Sequence, residues 1–242
     1  MHQQKTMQII LNPLSFLEID SPDWEFTKKT PTCESILRYI VEPIYRPPLD
    51  YNQIIERYRS VSEKAYIFAL PAEENIIEKI AGPLKNAKTS YITENYLGTI
   101  ALCGMVSEML AILLFDISEI RLNNNKMSKK QEEKLFGRRF EKLGQERRVK
   151  ILSAYKLIDA ETKNRFETIK NTRNKYLHLF SEKHDEISND AKEVFLNSIE
   201  LVKIIIGQEI KDGKIILNPR IISYMEKRGL VKPVEVPLNQ ST

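Results

Sequence analysis

The segment Arg173-Asn174-Lys175-Tyr176-Leu177-His178 carries side chains suited to chemistry on a phosphate ester. A guanidinium binds a phosphate through two parallel hydrogen bonds. An imidazole gives and takes protons at neutral pH. Asn174 and His178 are four residues apart, so a helix would put them on one face, where the amide could orient either group. The segment therefore indicates phosphate binding combined with proton transfer.

A predicted helix carries this segment. It begins at Asp159, which can cap it, and runs to about Phe180. Arg173 falls near the middle of the apolar stripe, with Asn174 and His178 on its flank. A charge on such a stripe must meet a carboxylate, a partner surface or a ligand anion. The stripe recurs at spacings of three and four residues and comprises Phe166, Ile169, Arg173, Tyr176, Leu177 and Phe180.

The pattern Arg173-Asn174-x-x-x-His178 resembles the Arg-x4–6-His signature of the HEPN superfamily, in which a polar residue, often Asn, follows the arginine. The context is also similar, because an apolar helix carrying Glu108 and a polar segment precede the motif helix. The resemblance covers about residues 70–210 and implies a bundle of four or five helices. It further implies a homodimer in which two motifs meet across a cleft.

The resemblance also implies an activity, that of a metal-independent endoribonuclease of bacterial toxin–antitoxin or phage-defence systems. RNA would be its substrate, no cofactor would be needed, and a cognate antitoxin or regulatory protein would be a further partner. His178 would act as general base or acid, giving a 2′,3′-cyclic phosphate. Arg173 would hold the scissile phosphate, Asn174 would fix the local geometry, and Glu108 would support the site.

The same residues also allow structural interpretations. His178 could be a partly exposed histidine that the negative end of the helix dipole favours. Arg173 could form an internal ion pair, with Glu108 as the candidate partner, and such a pair would be compatible with catalysis. Tyr176 is assigned to the core or an interface, and His184 has no role. The chain could then be a non-catalytic module that binds RNA, nucleotide or protein, or a purely structural adaptor.

Charge is concentrated between residues 121 and 150. Eleven Lys or Arg and four Glu give this segment a net charge of +7, and the whole chain carries +4, so the remainder carries −3. Such a block suggests a polyanionic partner, and a solvated loop is the alternative. Helices are expected near residues 131–140 and 145–157. The candidate RNA-binding residues are Arg138, Arg139, Arg147 and Arg148.

The composition favours a mainly all-α protein with a cytoplasmic location. Glycine is scarce at 8 residues, and no proline falls between Leu84 and Asn218. No N-terminal signal is predicted, and two cysteines and three histidines show no disulfide or metal-ligand spacing, so no metal is expected. The stretch from Tyr96 to Phe115 is long enough to cross a membrane. Glu108 at its centre would cost about 3 kcal/mol there, which favours the enclosed central helix of a bundle and no membrane.

The chain is expected to comprise an N-terminal extension with one helix (1–69), the HEPN-like bundle (70–210) and a C-terminal tail (211–242). Gly82-Pro83 should interrupt one helix, and Thr93 should cap the apolar one. The letters Ile-Ile-Leu-Asn-Pro occur at 9–13 and again at 215–219. These two pieces could pair into a short β-ribbon, or the repeat could be coincidence.

Overall fold

The computed structural model describes residues 50–62, 67, 70–71, 73–122, 125–177, 185–207, 209–211 and 214–229, with the backbone alone for 209–211 and 214–216. The chain divides into two compact units, 1–55 and 56–242. Only residues 50–55 of the first unit are described. Most of the predicted extension 1–69, including the repeat at 9–13, therefore lies outside the described residues.

The described part of the chain is mainly α-helical, which confirms the predicted fold class. The elements in chain order are α1 (Tyr51–Ser62), α2 (Glu74–Ile76), α3 (Gly82–Ile92), α4 (Tyr96–Ser118), β1 (Arg121–Leu122), β2 (Asn125–Lys126), α5 (Lys129–Phe136), α6 (Gln145–Ala154), α7 (Ala160–Leu177), α8 (Ile187–Ile206), β3 (Glu209–Lys211), β4 (Lys214–Ile216) and α9 (Pro219–Lys227). Between α2 and α3 lies a π-helical turn, Ile77–Ala81, and between α5 and α6 a 3-10 turn, Phe140–Lys142. Two antiparallel ribbons join β1 to β2 and β3 to β4.

The apolar helix α4 lies at the centre and packs against α3, α6, α7 and α8. By length and composition α4 could cross a membrane, but 56% of its most apolar window is buried within the protein. Cys103 is fully buried there, and burial raises the pKa of its thiol to about 12, so it behaves as a small apolar side chain. Full enclosure is not observed, because Leu97 and Met105 are 37% and 41% exposed.

The N-terminus of α4 differs from the prediction. Thr93 does not cap it, because its backbone N–H still bonds to the Thr89 carbonyl at the end of α3. Glu94 then adopts a left-handed φ of 63° and turns the chain. Asn95 is the cap, and its side-chain oxygen accepts from the Gly98 backbone N–H at 3.0 Å. Asparagine was the better candidate by cap preference, since it ranks above threonine.

The prediction that Gly82-Pro83 interrupts a helix is wrong. The π-helical turn before it lets the Gly82 N–H bond to the carbonyl of Ile77, five residues back. A proline lacks an N–H and its ring collides with the carbonyl four residues earlier. The wider π turn relieves that collision, so the chain passes into α3 with Pro83 in its first turn.

The basic segment 121–150 is folded in its described part and is not a solvated loop. Ser128 and Gln131 form a reciprocal capping box at the start of α5. Phe140 is 1% exposed and stacks on Phe115 of α4 with ring centroids 3.8 Å apart. The segment therefore packs against the central helix α4, and this contact determines where its charged residues lie on the bundle.

The C-terminal part of the bundle extends beyond the predicted boundary at 210. Gly207 ends α8 in a left-handed conformation, with φ of 68°. Strand β4 pairs with β3, with Ile210 opposite Ile215, so residues 215–216 do not need the distant repeat as partner. Helix α9 then contacts α4, and its Ile221 is 0% exposed. The boundary at 210 falls inside one paired ribbon.

Candidate functional site

The motif helix α7 is fixed at its start and along one face. Asp159 caps it as predicted, because its carboxylate accepts from the Thr162 backbone N–H at 2.7 Å. This hydrogen bond lowers the pKa of Asp159. Phe166 and Ile169 are 0% exposed and Tyr176 is 6% exposed, which confirms these three positions of the stripe.

The stripe ends differently from the prediction. Leu177 is 37% exposed and does not join the core. Phe180 lies outside the described residues, as do His178 and His184. His178 follows directly after Leu177, the last residue of α7. Its place on the flank of the helix is a prediction from the sequence.

Arg173 extends from α7 to the central helix. Its Nη1 donates to Glu108 Oε1, so the internal ion pair considered as an alternative role is present. The Arg173 side chain is 32% exposed and that of Glu108 is 27% exposed. In the described residues, no partner is found for the other guanidinium nitrogens of Arg173. A half-buried arginine is thus held by one nitrogen and keeps donors for a ligand.

Glycine at position 104 makes room for this arrangement. A Cβ built on Gly104 would lie 2.5 Å from Arg173 Cδ and 3.3 Å from its Nε. Real Cβ atoms do not approach other carbon atoms so closely. The aliphatic part of Arg173 therefore passes directly over the backbone of α4, one turn before Glu108.

Arg148 holds the other oxygen of the same carboxylate. Its Nη1 donates to Glu108 Oε2 at 3.3 Å, and Arg148 is 5% exposed. Its Nε and Nη2 donate to the carbonyls of Phe140 (3.3 Å) and Glu141 (2.9 Å). Glu108 therefore lies between two guanidiniums, and Arg148 ties the 3-10 turn to it. This corrects the expectation that Arg148 contacts RNA, because its donors are already engaged inside the protein.

The other predicted RNA-binding arginines lie at the surface. Arg138 is exposed. Arg139 Nε lies 3.1 Å from Glu133 Oε1, and Arg139 Nη1 lies 3.8 Å from Glu141 Oε1. Arg147 is exposed on α6 and lines an open pocket next to Arg173. The structure brings Arg147 to the motif but does not bring Arg138 or Arg139 into this pocket.

The pocket beside Arg173 has a volume of about 610 Å³. It contains four cationic side chains and two carboxylates, which gives it a net charge of +2. Asn174 lines it as well, on the exposed side of α7. Its lining residues are Glu108, Gly144, Gln145, Glu146, Arg147, Lys150, Lys170, Arg173 and Asn174. A positively charged concave surface of this kind favours an anionic ligand.

Tyr176 lies in a separate polar contact on the buried side of α7. Its hydroxyl donates to Asp190 Oδ2 at 2.6 Å, and Lys175 Nζ approaches the same oxygen at 3.0 Å. Burial, followed by the bond to Asp190, raises the pKa of Tyr176. The tyrosine thus joins α7 to α8, which agrees with its assignment to the core and leaves it no base-stacking surface.

Several residues of this site were missed in the sequence. Lys150 and Lys170 carry no motif, and Gly104 is one of eight glycines. One signal was available for Lys170, because it precedes Arg173 by three residues and therefore shares its helix face. Within the described residues, no group of three or more His, Cys, Asp or Glu side chains could hold a metal ion.

Comparisons with known proteins do not identify a relative. No family model matches the chain, no curated protein matches it, and no solved structure matches it. The functional assignment therefore depends on the residues and geometry described above.

Gly104→Ala is expected to lower ligand-dependent activity while leaving the protein folded. Alanine favours a helix by about 1 kcal/mol over glycine, so the melting temperature should fall less than it does for Arg173→Ala. The new methyl group displaces Arg173, and a misplacement of about 1 Å can cost about 100-fold in rate. Cleavage of RNA, the substrate that the sequence resemblance implies, and thermal melting of the variant measure the two effects separately. Unchanged cleavage would show that the contact between Gly104 and Arg173 has no functional importance.

Proposed function

We propose that this chain is a metal-independent, HEPN-like endoribonuclease that cleaves RNA through its own 2′-hydroxyl. The observation that carries the proposal is Arg173, which Glu108 holds by one nitrogen and which lines a cationic pocket. A guanidinium held in this way is prepared for a phosphate, since its orientation is set before the ligand arrives. His178, five residues further along, supplies the group suited to proton transfer.

The proposed reaction is a transesterification followed by release of two RNA ends. One His178 takes the proton of the 2′-hydroxyl, and the O2′ atom attacks the adjacent phosphorus. Arg173 stabilises the negative charge that develops on the non-bridging oxygens. The bond from phosphorus to O5′ breaks, and O5′ receives a proton. The products are a 2′,3′-cyclic phosphate and a 5′-hydroxyl, so atoms and charge balance without a redox partner.

The proposal includes a homodimer, because a second His178 could protonate O5′ while the first acts as base. Met105, next to Gly104, and Leu177, four residues from Arg173, are 41% and 37% exposed. Apolar side chains so close to the site support a contact between two copies. Light scattering across micromolar concentrations tests this part, and a monomer throughout would remove the composite site from the proposal. The proposed setting is a cytoplasmic toxin–antitoxin or phage-defence system, with an antitoxin or regulatory protein as partner.

Incubation of the purified protein with RNA in the presence of a chelator tests the activity. The proposal expects fragments that end in a 2′,3′-cyclic phosphate, which mass spectrometry identifies. The same RNA with 2′-O-methyl groups lacks the nucleophile and should stay intact. Fragments that end in a 3′-hydroxyl and 5′-phosphate, or cleavage that the chelator abolishes, would contradict the proposed chemistry.

A non-catalytic RNA-binding module is the second candidate, and the pocket itself favours it. Its four cationic side chains would attract a polyanion whether or not the chain cuts it. Salt-dependent binding with no cleavage under any condition would support this module over the nuclease.

A further inference from the structure

Two lysines in the pocket share one carboxylate of the chain itself. Lys150 Nζ lies 2.6 Å from Glu146 Oε1, and Lys170 Nζ lies 3.8 Å from Glu146 Oε2. The lysines come from different helices, α6 and α7, yet they converge on the same anionic group. Lysines that converge in this way form a binding position for an oxyanion.

Glu146 is held loosely in this position. Its side chain is 62% exposed, and that of Lys150 is 68% exposed, whereas Lys170 is 24% exposed. The hydrogen bond from Lys150 and the nearby charges lower the pKa of Glu146, so it is ionised at neutral pH. Because exposed ion pairs of this kind are weak, a phosphate can replace the carboxylate at little cost.

The position is next to Arg173. Lys170 precedes Arg173 by three residues on α7, so the two side chains lie on one face about one helical turn apart. Both line the pocket of about 610 Å³ that opens to solvent. A polynucleotide presents phosphates in a row, and one phosphate at Arg173 brings its neighbour within reach of the lysines.

We propose that Lys150 and Lys170 form a subsite for the RNA phosphate next to the one that Arg173 binds. Glu146 fills the subsite in the free protein and leaves it when RNA arrives. Arg147, on the rim of the same pocket, adds charge along the path of the strand. The identification of the ligand as RNA rests on the proposed function, whereas the convergence of the two lysines does not.

Binding of a fluorescent 2′-O-methyl RNA oligonucleotide, which cannot be cut, tests the subsite. Lys170→Ala should weaken binding about tenfold, since a hydrogen bond to a charged group is lost. It should also reduce the salt slope by about 1. Glu146→Gln should strengthen binding, because it frees both lysines and removes a negative charge from the path of the phosphate.

The ion pair of Lys203 and Glu200 on α8 provides matched controls, since its atoms are 2.8 Å apart and neither residue lines the pocket. Lys203→Ala and Glu200→Gln make the same charge changes elsewhere on the bundle. If each control changes binding as much as its pocket counterpart, the effect is one of net charge and the subsite is refuted. Weaker binding by Glu146→Gln would also refute it.

Substrates of different length separate this proposal from the nuclease proposal. A dinucleotide has only the scissile phosphate, and a trinucleotide adds its neighbour. Lys170→Ala should raise the KM for trinucleotides in which that neighbour reaches the subsite more than it raises the KM for the dinucleotide. If no RNA is cut but the binding pattern holds, the subsite stands and the nuclease function fails. If RNA is cut and Lys170→Ala changes neither binding nor KM, the subsite alone fails.

Discussion

Replacing His178 with alanine is expected to lower RNA cleavage by about 10²–10⁴-fold, the contribution of a positioned proton-transfer group. The sequence predicts His178 on the flank of α7, where the loss of a partly exposed side chain costs little stability. The melting temperature and the oligomeric state should therefore stay near those of the wild type. His184→Ala is the matched control, because it removes the same side chain from a position outside the motif.

Arg173→Ala should fail in a different way from His178→Ala. It should abolish cleavage, and it should also lower the melting temperature, because Glu108 loses one of its two guanidinium partners. Near-full activity of His178→Ala would show that the catalytic assignment is wrong, even with the fold as described. If no RNA is cut and Arg173→Ala still destabilises the protein, the motif is structural and the binding module replaces the nuclease.

Arg148→Ala is expected to have the largest effect on stability among the charged residues of the site. Breaking a buried ion pair costs about 3–5 kcal/mol, because the remaining charge is left without compensation. We expect about 3 kcal/mol here, at the low end of that range, since Glu108 keeps Arg173 and is 27% exposed. The carbonyls of Phe140 and Glu141 also lose their donor, which loosens the 3-10 turn.

Urea unfolding of Arg148→Ala measures this loss, with Arg147→Ala as control. Arg147 is the preceding residue on α6 but is exposed, so its removal should change the free energy of unfolding by at most about 0.5 kcal/mol. RNA binding should rank the two variants in the opposite order. Arg147→Ala should reduce the salt slope of RNA binding more than Arg148→Ala does. Equal stability losses in the two variants would contradict the assignment of Arg148 as the internal partner of Glu108.

Much of the candidate site could be predicted from α7 alone. The three-and-four spacing of Phe166, Ile169 and Tyr176 identified the buried face, and the position of Arg173 on that face required a carboxylate, a partner surface or a ligand anion. Glu108 on the apolar helix was the candidate carboxylate, and the structure joins the two. Periodicity within one helix thus indicated that Arg173 needs a partner, and packing decided which of the possible partners it meets.

The buried position of Arg148 could not be predicted from helical periodicity. In the sequence it stands beside Arg147 in a basic segment and carries the same charge. Adjacent residues on a helix point about 100° apart, so one of the pair meets the core and the other meets solvent. Which arginine turns inward depends on how α6 packs against α4, and the apolar positions of so short a helix did not settle that.

The same limit explains the differences in the fold. The predicted break at Gly82-Pro83 followed from local preference, and the π turn that avoids it depends on residues before the proline. The sequence indicated that β4 is β-prone, but it did not identify β3 as its partner. A short apolar segment does not specify the strand with which it pairs. Local chemistry set the type of each element, and packing set where it begins and what it contacts.

The separation of the three charged residues along the chain has a consequence for biosynthesis. Glu108 leaves the ribosome first, Arg148 follows 40 residues later, and Arg173 follows Glu108 by 65 residues. The carboxylate can thus be engaged by Arg148, and α6 docked, before Arg173 has emerged from the ribosome.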